Sequence, residues 1–82
     1  MPSEHITFST IAQRFGWNLR IARQRAKLTQ QGLADRLGIH QSGVSAWERG
    51  SCVPKPKSIN RLADALGVEP SELLRETKGL AG

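Results

Sequence analysis

Apolar positions recur along this chain with the period of a helix and do not alternate as in a strand. Ile11, Phe15, Leu19, Ala22 and Ala26 are spaced by fours and threes, which predicts one helix from about Phe8 to Ala26 with a single buried stripe. Thr7 suits its N-cap. Gly16 interrupts the pattern at a cost of about 1 kcal/mol, enough to permit a break. Trp17 and Ile21 form a second apolar pair, one helical turn apart and off that stripe. Such a pair fits packing against the last helix or contact with a second subunit.

A second helix is expected after Lys27-Leu28-Thr29, with Thr29 as N-cap, Leu33, Ala34 and Leu37 facing inward, and Gly38 as the stop. A third runs from about Gln41 to Arg49 and ends at Gly50, with Val44 and Trp47 turned inward. The prolines of "SCVPKPKS" predict a loop. A fourth helix follows from about Lys57 to Leu66, striped by Ile59, Leu62, Ala63 and Leu66 and ended by Gly67. A fifth begins at Pro70, with Val68 and Leu73 placed as a hydrophobic staple and Leu73 and Leu74 closing the core. The pattern contains no strand and no evident repeat. The expected fold is all-α, a compact five-helix bundle. Residues 1–7 read as a flexible N-terminus, 8–76 as the folded domain and 77–82 as a mobile C-terminal tail.

The stretch "GIHQSGVSAWERG" changes this picture, because its helix is built from poor material. Gly43 weakens it, and Gln41, Ser42, Ser45 and Ala46 leave one face with only short or hydrogen-bonding side chains. With Val44 and Trp47 inside, Gln41, Ser42, Ser45, Ala46 and Arg49 point outward. Leu37, Gly38 and Ile39 then set two short helices at a steep angle across a tight turn. A helix entering the major groove must approach base edges closely, and long side chains would hold it away. Gln can bond the purine edge of adenine, Ser can bond most bases, and Ala can touch a thymine methyl.

Charge points the same way. The chain has 82 residues and a formal charge of +5, but residues 14–57 hold nine Lys and Arg against two acids, a balance of +7. That asymmetry favours a polyanionic partner. Arg49, Lys55 and Lys57 flank the odd helix and could hold phosphates, whereas Arg20, Arg25 and Arg36 read as a solvated face. His40 is either a DNA contact or an ordinary surface histidine. The single cysteine, Cys52, excludes an intrachain disulfide and a cysteine-based zinc site. Neither a signal peptide nor a membrane span is expected.

The segments "LTQQGLADRLGIHQSGVSAWERG" and "LADALGVEPSELL" resemble the phage Cro/cI repressor-type helix-turn-helix family, the lambda-repressor-like DNA-binding domain. The resemblance covers Leu19 to Leu74. It implies a helix-turn-helix in helices two and three, and sequence-specific binding of double-stranded DNA, usually as a homodimer on a near-palindromic operator. It places Gln30 at a phosphate contact, Gln41, Ser42 and Ala46 at base-reading positions, and Arg23 with Glu48 in a buried ion pair. Gly32 departs from the family, which often has an acid there to complete a capping box with Thr29. A weaker or shifted start of helix two is the expected consequence.

The function expected is that of a small phage Cro-like or immunity repressor, with a restriction-modification controller close behind. In both, 82 residues leave no room for a separate sensing domain. The alternative is an antitoxin that acts mainly on a protein partner. An enzyme is disfavoured by two His, one Cys and the lack of paired carboxylates converging on a nucleophile. No cofactor, metal, small-molecule ligand or membrane is expected, and the location expected is the cytoplasm, on the nucleoid.

Overall fold

The computed structural model describes residues 10–75, which form five helices and no strand. These are α1 (Ile11–Arg25), α2 (Gln30–Leu37), α3 (Gln41–Glu48), α4 (Pro56–Leu66) and α5 (Pro70–Leu74). The expectations for residues 1–9 and 76–82, including Thr7 as a cap and Phe8 as a helix start, lie outside the described residues. Helix α1 is instead capped by Thr10, whose extended backbone halts the helix and whose hydroxyl accepts the Gln13 N–H at 3.0 Å. Among the described residues no helix is long and apolar enough to cross a membrane.

The core is built around Phe15, Leu19, Leu33, Val44, Leu62 and Leu73, all fully buried. Two positions expected inside are not. Ile11 is 61% exposed. At roughly 100° per residue, Ile11 lies about 80° around the helix from Leu19, so a stripe spaced by fours rotates off the core. Leu74 is 40% exposed, because adjacent helical positions point apart and Leu73 takes the inward one.

Gly16 does not break α1, which is continuous across it. A Cβ there would collide with the Trp47 carbonyl oxygen and come within 2.8 Å of the Glu48 carbonyl oxygen. The glycine lets α1 pass directly against the last turn of α3. Helix α2 starts at Gln30 with no shift: Thr29 Oγ1 accepts the Gly32 N–H at 2.9 Å, so the hydroxyl half of the cap forms without the acid. Helix α4 starts at Pro56 rather than Lys57, since a first helical position tolerates the missing N–H of proline.

The chain also carries a repeat that the hydrophobic pattern hides. "LADRLGI" (33–39) ends α2 and "LADALGV" (62–68) ends α4. Gly38 and Gly67 share a left-handed backbone, at φ 70 and 72, and Ile39 N–H and Val68 N–H each return to an alanine carbonyl, of Ala34 and Ala63, at 3.0 Å. The two ends also serve each other. Arg61 Nη2 donates to Leu37 O at 2.6 Å, and Arg36 Nη1 donates to Ala65 O at 3.1 Å, so each helix supplies an arginine to the C-terminus of the other. Helix α5 is tied back by Asn18, 8% exposed, whose Nδ2 donates to Leu73 O at 3.1 Å and Arg75 O at 2.8 Å.

Candidate nucleic-acid interface

Gly38, Ile39 and His40 join α2 to α3. Ile39 packs partly against the core. His40 has an extended backbone, and its ring Nδ1 accepts the Ser42 N–H at 3.1 Å, capping α3. Short hydroxyl, carboxylate and amide side chains usually do this, so nothing in the sequence pattern signals a histidine cap.

Val44 is fully buried, and Trp47 packs against the core while remaining half-buried. These two anchor a helix whose own propensity is poor. Turned away from them, Ser42 and Arg49 are exposed, and Gln41, Ser45 and Ala46 are half-buried. Arg49 Nη1 donates to Ser45 Oγ at 2.6 Å. Lys55 is the exposed residue before α4 and Lys57 lies exposed in its first turn. Trp17 and Ile21 are half-buried on α1. Arg20 and Arg25 are exposed, whereas Arg36 is engaged with α4 as above.

Arg23 and Glu48 lock α1 to α3. Arg23 Nε donates to Glu48 Oε2 at 2.6 Å and Nη2 to Oε1 at 3.1 Å, with the side chains 12% and 5% exposed. Arg23 Nη1 also donates to Leu28 O at 2.8 Å, holding the turn before α2. The pair is bidentate and nearly dry, the geometry in which guanidinium and carboxylate bond most strongly.

Glu48 reaches further. Its Oε1 accepts from Gln30 Nε2 at 3.0 Å, and Gln30 Oε1 accepts from Gln41 Nε2 at 2.6 Å. An ionised carboxylate only accepts, so Gln30 must turn its NH2 toward Glu48 and its oxygen toward Gln41. Gln41 must then donate one N–H to Gln30. Its other N–H and its Oε1 take no part in that network, which runs from Arg23 through Glu48 and Gln30 to Gln41. Gln30, assigned by resemblance to a phosphate, therefore has its amide committed between α2 and α3, with one N–H to spare. Gln30 and Gln41 lie eleven residues apart on different helices, a separation that helical periodicity does not connect.

A family described as a helix-turn-helix domain matches residues 14–80. Over 63 residues the chain is 30% identical to Repressor protein C2 of Salmonella phage P22, covering 77% of this chain and 29% of that protein. The chain belongs to the Cro/cI-type helix-turn-helix family. The crystal structure of the P22 c2 repressor with synthetic operator 9T superposes with a TM-score of 0.69, covering 74% of this chain and 92% of that one. The restriction-modification controller protein C.AhdI from Aeromonas hydrophila is 39% identical, with a TM-score of 0.72 over 76% of this chain and 94% of that one. Among other members of the family, the transcriptional repressor RghR of Bacillus subtilis is 42% identical over 57 residues, which is 68% of this chain and 42% of that protein. The chain spans about half the length of the curated relatives it matches, at 53%, 42% and 58% for three from Bacillus subtilis.

Proposed function

We propose that this helix-turn-helix chain is a sequence-specific regulator of transcription that binds double-stranded DNA, most simply a Cro-like or immunity repressor acting at an operator. A restriction-modification controller is the second form of the same reading, favoured by the likeness to C.AhdI over nearly that whole chain. In either form α3 enters the major groove. Gln41, Ser42, Ser45 and Ala46 read bases; Arg49, Lys55 and Lys57, with the spare N–H of Gln30, hold phosphates. His40 lies at the groove end of the helix. A homodimer on a near-palindromic site follows from the few base pairs that one short helix can read, with Trp17 and Ile21 a candidate subunit contact. The chain acts by binding rather than catalysis, in the cytoplasm.

The observation that carries the reading is the fixed amide of Gln41. Its uncommitted N–H and oxygen are the donor and acceptor that the N7 acceptor and N6 donor of adenine require. The test is selection from randomised duplexes. The unmodified chain should enrich a two-fold site with adenine at the column read by Gln41. Gln41→Ala should weaken the preferred site by about 1–3 kcal/mol and flatten that column. Equal weakening on random and preferred duplexes would remove α3 as a reading helix and leave a protein partner as the next candidate for this face.

A further inference from the structure

Two atoms of Ser42 converge on one nitrogen. The Ser42 backbone N–H meets His40 Nδ1 at 3.1 Å, and Ser42 Oγ lies 2.9 Å from the same atom. A backbone N–H can only donate, so Nδ1 must carry a lone pair and the ring proton sits on Nε2. An unprotonated Nδ1 can only accept, so the Ser42 hydroxyl turns its proton toward the ring. What Ser42 then presents to the groove is oxygen lone pairs alone.

We infer that His40 is a specificity-determining residue: by holding the Ser42 hydroxyl proton, it makes Ser42 an acceptor that reads the amino groups of cytosine or adenine. This rests on the reading of Ser42 as a base-contacting residue. A freely rotating serine donates or accepts and so discriminates weakly among bases. In the major groove only cytosine N4 and adenine N6 offer donors, while guanine O6 and N7 and thymine O4 are acceptors. The polarised serine therefore rejects guanine and thymine on the contacted strand.

Ser45 supplies the contrast on the same helix. Arg49 Nη1 donates to its Oγ at 2.6 Å, so that bond leaves the Ser45 hydroxyl proton free to be given. The two serines differ in what surrounds them, and a change at His40 should leave the Ser45 column alone.

The experiment is the same duplex selection, run on the full chain with Ser42→Ala, His40→Ala and His40→Asn, each with a thermal melt. The unmodified chain should favour C or A over G or T by about three- to tenfold at one column, the worth of a single hydrogen bond. Ser42→Ala should flatten that column. His40→Ala should admit G and T there, bringing the preference near unity, while the Gln41 and Ser45 columns persist. His40→Asn places an accepting amide oxygen at the cap and should restore the preference. If His40→Ala leaves the Ser42 column unchanged, or relaxes every column together, the histidine is only a cap and the inference fails. If Ser42→Ala alters no column, base reading by Ser42 fails, and the inference with it. Should His40→Ala not fold, the unmodified chain still decides: a Ser42 column that favours G or T overturns the assignment.

Discussion

Gly16 and Glu48 meet where α1 crosses the end of α3, and each gives a measurable single-residue effect. In an open helix Gly→Ala would stabilise by up to about 1 kcal/mol. Here the added methyl would run into the Trp47 and Glu48 carbonyl oxygens, which are backbone and cannot swing aside. Gly16→Ala should destabilise by about 1–3 kcal/mol, as overpacking does, and a denaturant titration gives the sign directly. Glu48→Ala strands Arg23, 12% exposed, with only the Leu28 carbonyl left to it. The expected loss is about 3–5 kcal/mol, seen as a large fall in Tm. It also releases Gln30, so any residual binding should have lost its adenine preference at the Gln41 column. A melt matching the unmodified chain would show that the pair carries no weight. Gln41→Ala is different in kind. It removes one partly buried hydrogen bond, to Gln30, and should change stability by no more than about 1 kcal/mol.

At the scale of elements, α5 is the clearest dependant. Pro70–Leu74 is five residues, too short to persist by its own propensity. Leu73 holds it by packing, and Asn18 holds its last carbonyls from α1. Asn18→Ala leaves those carbonyls without their buried donor, at a cost of about 1–3 kcal/mol. The loss should be local. Hydrogen exchange should quicken at the α5 amides well before those of α2 and α4, which close each other through Arg36 and Arg61. Uniform acceleration across all five helices would mean that α5 is not a separable unit.

For the whole molecule the governing quantity is charge. Arg49, Lys55 and Lys57 are exposed and follow one another from the end of α3 into α4, within the segment that carries the +7 excess. Each neutralised phosphate contributes about −0.9 to the slope of log affinity against log salt, so phosphate contacts from these three should give about −3 per chain. Lys57→Ala should flatten the slope by about one unit and weaken all sequences alike. Fluorescence anisotropy at several salt concentrations reads both. A slope near zero would mean that the basic segment does not meet the DNA backbone.

The amino-acid sequence by itself determined the helices, because apolar spacing, Thr29, Pro70 and the glycines 38 and 67 are local signals that short segments of backbone obey. It also marked the bare face of α3, since side-chain size can be read without coordinates. It left Ile11 and Leu74 on the wrong side, because burial depends on which neighbour covers a position and not on the side chain alone. The purpose of Gly16 was out of reach for the same reason: a helix-weakening residue and a close-approach residue look alike until a second helix lies against it. Only the tertiary structure decided the polarity of the bare face. Gln30 and Gln41, or Arg23 and Glu48, are partners brought together from separate helices, and the direction in which an amide or a hydroxyl points is set by the donor or acceptor it meets. The residue types state what can be bonded; the packing of α1, α2 and α3 states which atom is left to do it.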